Sequence, residues 1–309
     1  MSRPVVAILG PTAVGKSRIG IGLARRLGGE IICADSRQLY RRLDLGTDKV
    51  PEEEQGGIPH HLQDSVDPDE VVSAGSFARM ADEALAGIRS RGVLPMLVGG
   101  SGLYVEAFLT GLFEGPERDE GLRERLHGIR RRHGEARLHR LLQRFDPHTA
   151  ARLAPRDHQR VVRAVEVRLL TGRPLSAHLE AHRRTVRLPH VRLGLQMDRE
   201  RLNRRIEQRV DEMFSAGLVE EVRRLLEQGL GPRSPAMSAI GYAEIVTALQ
   251  GDLDGGLVAA RELIKRNTRR LAKRQLTWLR HHGETTWFRR ESDTETVKKI
   301  EQHLAGLLQ

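Results

Sequence analysis

At 309 residues the chain can bury a large core and divides into about two domains, and its 39% hydrophobic and 30% charged content is ordinary for a soluble globular protein. A single cysteine, Cys33, excludes an internal disulfide framework and a cysteine zinc cluster, and 4% aromatic content argues against a bare stacking platform as the main way to hold nucleic acid. The net charge of +10 calls for a polyanionic partner, and with no basic-then-apolar leader and no run of membrane-spanning length, a cytoplasmic protein without membrane attachment is expected.

The run "VVAIL", residues 5–9, reads as a short buried strand, and "GPTAVGKS", residues 10–17, follows it directly. Its spacing is G-x-x-x-x-G-K-[ST], with Gly10, Gly15, Lys16 and Ser17 in the defining positions. Between a strand and a helix, here expected over about 15–27, that pattern means a phosphate cradle. Backbone N–H groups and the helix N-terminus wrap an anion, Lys16 adds a point charge and Ser17 can hold a metal ion. The loop says that a phosphate is held, not whose phosphate it is.

A second strand over 30–35 ends on Asp35, followed by Ser36, Arg37 and Gln38. Asp35 either caps the next helix or faces the phosphate loop across a crevice as a general base. His60 and His61 are adjacent and point different ways in most backbones, so a loop packed beside the site is expected there rather than a shared metal. A helix ends at Gly92, and a third strand over 93–100 ends in glycines, where a phosphate-transferring ATPase or kinase would carry a magnesium-holding acid. Ser101 either caps the helix that follows or lines the ligand among those glycines.

Between Leu112 and His190 there are 18 Arg against 10 Asp or Glu and no Lys, so this segment holds most of the positive surplus. Arginine forks grip phosphate bidentately, which suits a nucleic-acid backbone better than a small metabolite. Strand signals vanish across it and return over 190–197. The expected fold is therefore α/β: a P-loop, doubly wound parallel sheet formed by 1–113 and 188–309, with an all-helical insertion at 114–187 and a helical C-terminal part. Asp198 is the expected N-cap of a helix on which Arg201, Arg204, Arg205 and Arg209 recur at turn spacing; one or two of them can reach back over the phosphate loop. A later helix carries Arg269, Arg270, Lys273, Arg274 and Arg280, for which solvated face and nucleic-acid contact are both open.

Taken in order, "GPTAVGKS", "ADSRQLY", "GIPHHLQD", "SAGSF", "PMLVGGSGLY", "DHQRVVRAVEV", "SAIGYAE" and "AKRQLTWLR" resemble the tRNA dimethylallyltransferases, or tRNA isopentenyltransferases, over nearly the whole chain. The resemblance implies transfer of a dimethylallyl group from dimethylallyl diphosphate to N6 of adenosine 37 of tRNA. It implies that Gly10, Pro11, Thr12, Ala13, Val14, Gly15, Lys16 and Ser17 cradle the diphosphate with Mg²⁺ near Ser17. Asp35 would be the base, and Ser101, Lys16 and Arg205 would serve the leaving group. Ser101 fills a position where many relatives have threonine. Asp35, Ser36, Arg37, Gln38 and Ser101 would meet the flipped base, and Arg123, Gln159, Arg160, Val161, Val162, Arg163, Lys273 and Arg274 the tRNA. The insertion would then be the tRNA-binding domain. The chain lacks the cysteines and histidine of the zinc finger found in eukaryotic members, as in the short bacterial form, and a monomer is expected. Two rival readings are a P-loop nucleotide or small-molecule kinase and a non-catalytic RNA-binding protein gated by the loop; the first lacks its acid at the third strand's end.

Overall fold

The computed structural model describes residues 3–113, 115–182 and 187–307. It divides into two compact units, Met1–Thr110 with Arg187–Gln309, and Gly111–Val186. Glu114, where the insertion was expected to begin, lies outside the described residues.

The first unit runs β1 (Val5–Leu9), α1 (Lys16–Leu27), β2 (Gly29–Ala34), α2 (Glu52–Gln55), β3 (His60–His61), α3 (Ala74–Ser90), β4 (Leu94–Gly99) and α4 (Gly102–Leu109). The second unit is helical throughout its described elements: α5 (Glu120–His133), α6 (Glu135–Phe145), α7 (Pro147–Arg152), α8 (His158–Thr171) and α9 (Leu175–His182). The first then resumes with β5 (His190–Gln196), α10 (Arg199–Ser215), α11 (Leu218–Glu227), α12 (Tyr242–Leu249), α13 (Gly256–His281), β6 (Thr286–Arg289) and α14 (Asp293–Ala305).

The strands form one sheet in the order β3-β2-β4-β1-β5-β6, and every pairing is parallel. Parallel sheets need crossover helices on their faces, so central strands are buried on both sides and read as unbroken apolar runs. β1 shows this: Val5, Ala7 and Leu9 join the core beside Phe77, Ile88 and Tyr242, while Val6 and Ile8 join the opposite core beside Ile19, Leu23, Ile206 and Ile300. Because all strands point the same way, the turns after β1, β2, β4, β5 and β6 gather at one end of the sheet. The sequence motifs fall on four of those turns.

The expected strands are all present, and two further strands extend the sheet. β3 is two residues long, and β6 lies in the C-terminal part that was expected to be helical. At four residues β6 is too short for a periodic signal. It is held by pairing of Leu193–Gln196 with Thr286–Arg289 and by Trp287 and Phe288, which pack against opposite cores.

In the helical unit, Leu122, Leu126, Leu138, Leu142, Val161, Val162 and Val165 form a separate core. Where the first unit resumes, Leu188 donates its N–H to Leu109 (3.2 Å). Arg187 donates to the carbonyls of Ala107 (3.2 Å) and Phe108 (3.0 Å) and pairs with Asp82. A cation on the last carbonyls of α4 satisfies acceptors that have no helical partner.

Candidate active site

The phosphate loop turns sharply between β1 and α1. Gly15 has φ +93°, the left-handed region in which a side chain is strained, and Ala13 sits there as well at φ +65°. The turn brings the unpaired N–H groups of the first turn of α1 to the sheet's end. The Lys16 ammonium donates to the carbonyl of Pro11 (2.8 Å). Burial lowers its pKa to about 8; Asp35 opposes that shift and Arg209 reinforces it. A buried amine with a lowered pKa beside a phosphate loop is a cation held in readiness for an anion.

From α10, Arg205 donates Nε–H to the carbonyl of Ala13 (3.0 Å). Arg209, one turn on, bridges Asp48 (2.6 Å) and the Thr12 hydroxyl (2.7 Å). Two of the four arginines thus reach the loop. Asp198 caps α10 through the N–H groups of Glu200 (3.0 Å) and Arg201 (3.2 Å), which fixes where both arginines start. Behind the loop, Arg290 is buried and packs so closely that a Cβ on Gly15 would lie 3.0 Å from its Nε. Burial lowers the Arg290 pKa, Asp293 opposes the shift, and the charges of Arg205, Arg201 and Arg18 add to it.

Across the crevice, turns rather than a helix begin directly after Asp35, so it caps none. Its carboxylate accepts the N–H of Arg37 (2.9 Å), which pins the turn after β2. Ser101 stands at the N-terminus of α4 without capping it, and its hydroxyl instead accepts the N–H of Ser36 (2.9 Å). Gln38 donates to the carbonyls of Thr47 (3.0 Å) and Asp48 (2.8 Å) and accepts the Cys33 thiol (3.2 Å). Burial pushes that thiol up to about 12. Arg37 is held by Pro235 (3.1 Å) and Ser238 (3.3 Å), so "SAIGYAE" begins at this turn. Its Tyr242 hydroxyl donates to Glu221 (2.5 Å) and accepts the N–H of Gly46 (3.1 Å), fixing the loop that carries Asp48.

A cavity of about 380 Å³ opens between these turns. Thr12, Ala13, Gly15, Lys16, Ser17, Asp35, Gln38 and Arg205, all expected site residues, line it. Gly10, Pro11 and Val14 are buried within the loop, and Ser36, Arg37 and Ser101 are half-buried and do not line the cavity. Asp48, Lys49, Arg209 and Glu212 also line it. Of these, Arg209 was legible from its four-residue offset from Arg205, whereas the 44–50 loop carries no pattern that marks it. Gln275, inside "AKRQLTWLR", accepts the N–H of Thr12 (2.8 Å). The expected helix-borne cluster on α13 is exposed at Lys273 and Arg274.

The IPP transferase family model matches residues 38–282. A tRNA dimethylallyltransferase from Desulforudis audaxviator is 47% identical, over 92% of this chain and 91% of its own. The crystal structure of a tRNA isopentenylpyrophosphate transferase from Bacillus halodurans is 40% identical, with a TM-score of 0.73 over 99% of this chain and 97% of that one. A eukaryotic dimethylallyltransferase, crystallised acting on tRNA, gives a TM-score of 0.80 at 27% identity over 98% of this chain and 77% of its own.

The chain belongs to the IPP transferase family. Its family match begins at Gln38, so the phosphate loop and Asp35 stand outside the matched segment. At the turn after β4 this chain has Gly99 and Gly100, where a kinase would carry a magnesium-holding acid.

Within the helical unit of this IPP transferase, the expected tRNA residues separate into three kinds. Gln159 and Arg160 are exposed at the start of α8, where the helix dipole favours an anion. Val161 and Val162 are 0% and 2% exposed in the unit's core, which corrects their expected contact with tRNA: they pack, because the inward face of α8 falls on them. Arg123 and Arg163 are committed to an internal pairing. The fully buried Glu166 accepts both ends of the Arg123 fork (2.7 and 2.8 Å), Arg163 (2.7 Å) and the N–H of Asp119 (3.1 Å). Burial raises the Glu166 pKa, but these donors outweigh it and the net shift is downward.

Proposed function

We propose that this chain transfers the dimethylallyl group of dimethylallyl diphosphate to N6 of the adenosine at tRNA position 37, beside the anticodon, with release of diphosphate. Its relatives bear the name of that activity, and one was crystallised acting on tRNA. The observation that carries the reading is a single cavity lined both by the phosphate loop with Lys16 and by the carboxylate of Asp35.

In this reading the allylic C–O bond breaks with its electron pair leaving on the diphosphate, and N6 forms the new C–N bond. Lys16, the first-turn N–H groups of α1 and Arg205 stabilise the charge that develops on the leaving group. Asp35 takes the N6 proton, because an amine whose lone pair is delocalised into the ring becomes nucleophilic only as that proton departs. An adenine stacked in the anticodon loop is out of reach, so it is extruded into the crevice. Gln38 lines the crevice with Ser36 and Arg37 beside it in the chain, and Gln159, Arg160, Lys273 and Arg274 offer exposed groups to the RNA.

The residues fit a magnesium ion carried by the substrate. Among the described residues no group of three or more His, Cys, Asp or Glu makes a protein cage, and Ser17 lines the cavity with a single hydroxyl. Mg²⁺ ordinarily takes few protein ligands and several phosphate and water oxygens. When bound, it neutralises charge on the diphosphate. A monomer working in the cytoplasm completes the proposal.

The test is a transfer assay with unmodified tRNA, Mg²⁺ and radiolabelled dimethylallyl diphosphate. Wild type should move label into tRNA without hydrolysing ATP. Asp35→Asn, which retains the acceptor for the Arg37 N–H, should lower kcat by about 10²–10⁴-fold. ATP turnover without transfer would replace this reading with a kinase.

A further inference from the structure

Gln275 touches two functional turns at once. Its side-chain carbonyl accepts the N–H of Thr12 in the phosphate loop (2.8 Å), and its side-chain NH₂ donates to the carbonyl of Gly100 (3.1 Å). The partners fix the amide's orientation, since an N–H must meet an acceptor and a C=O a donor. Gly100 is the residue before Ser101, whose hydroxyl holds the N–H of Ser36, next to Asp35. The approach is close: a Cβ on Gly100 would lie 2.6 Å from the Gln275 nitrogen and 3.0 Å from the Gly10 carbonyl.

One side chain from α13, distant in sequence from both turns, therefore ties the loop that carries Lys16 to the turn after β4, whose Ser101 in turn holds the turn that carries Asp35. We infer that Gln275 is a positioning residue that sets the spacing between the diphosphate and Asp35, and hence the alignment of the carbon being transferred with N6. This rests on the function proposed above. The physical reason is that the reaction needs leaving group, carbon and nucleophile in line, while β1 and β4 fix only the bases of their two turns. Loss of the tie lets the loop tips drift, and misplacement by about 1 Å costs on the order of 10²-fold in rate.

Three proteins test it: wild type, Gln275→Met, which keeps length but bonds neither turn, and Gln275→Glu. With saturating tRNA, Gln275→Met should lose about 10- to 100-fold in kcat while its KM for tRNA and its Tm stay near wild type. Gln275→Glu gives a readout that a merely structural side chain would not. Its carboxylate repels the Gly100 carbonyl, but its protonated form offers a carbonyl and an O–H donor in place of the amide. The ratio of its kcat to that of wild type should therefore rise severalfold from about pH 8 to about pH 6. A Gln275→Met kcat within about twofold of wild type, or a flat ratio for Gln275→Glu, overturns the inference. If Gln275→Met does not fold, the Gln275→Glu ratio decides. If wild type itself transfers nothing, the proposed function has failed, and calorimetry with magnesium and inorganic diphosphate decides for Gln275. A severalfold weaker affinity in Gln275→Met supports its hold on the loop, and equal affinity ends it.

Discussion

Lys16 is the residue whose state most directly depends on what the cavity holds. Burial brings its pKa down to about 8, so the free protein carries the ammonium below that pH and loses it above. A diphosphate restores the preference for the charged form. Affinity for magnesium diphosphate should therefore fall as pH rises through about 8, and binding at that pH should take up about half a proton. Calorimetry in two buffers of different ionisation enthalpy measures the uptake directly, and Lys16→Met should abolish it. The same shift has the opposite sign for folding. The unfolded lysine titrates near its ordinary value of 10.5, so between about 8 and 10.5 the unfolded chain binds more protons and this group adds stability as pH rises. At this scale the sequence was informative where chemistry demands a residue type at fixed spacing, as with Lys16 and Ser17, whereas for Asp35 it left a cap and a base both open. It was silent about Gln275, because a glutamine inside a basic helix has no pattern that distinguishes a bridge from a solvated side chain.

Among the elements, α8 shows why the helical insertion was read correctly as basic and helical but not residue by residue. "QRVVR" sets two adjacent valines between two arginines, and a helix turns the valines inward whatever the neighbouring charges. Val161 and Val162 went to the core, and Arg163 went to Glu166 rather than outward. A buried carboxylate satisfied by two guanidinium groups and a backbone N–H leaves charges unmatched if one partner is neutralised. Glu166→Gln should destabilise the helical unit by about 3 kcal/mol, seen as an earlier transition for that unit in urea. Because the Glu166 pKa is depressed in the folded state, its contribution is present above the ordinary carboxylate range and is lost as pH falls through the lowered value. The strands tell the complementary story. β1, β2, β4 and β5 announced themselves as apolar runs, while the edge strands β3 and β6 are defined by the neighbour they pair with.

For the whole molecule, the first unit's chain leaves at Thr110 and returns at Arg187, where one backbone bond and the Arg187 fork join the two passes. A segment whose ends already meet costs little to shorten. Replacing residues 111–186 with a short glycine-serine linker should leave a folded protein that binds magnesium diphosphate with unchanged affinity and no longer retains tRNA, measured by calorimetry and gel retardation. An aggregated product would show that the first unit depends on the second. The strand order also dictates a schedule of synthesis. β1 is made first yet lies between β4 and β5, and about 90 residues separate the end of one partner from the start of the other. At translation speeds of about 5–20 residues per second, one edge of "VVAIL" waits about 5–18 s on the ribosome for its second neighbour. The helical unit, whose contacts are local, emerges inside that interval. The middle of the sequence is therefore the first part that can finish folding, and the phosphate loop, near the start, is among the last to be locked in place.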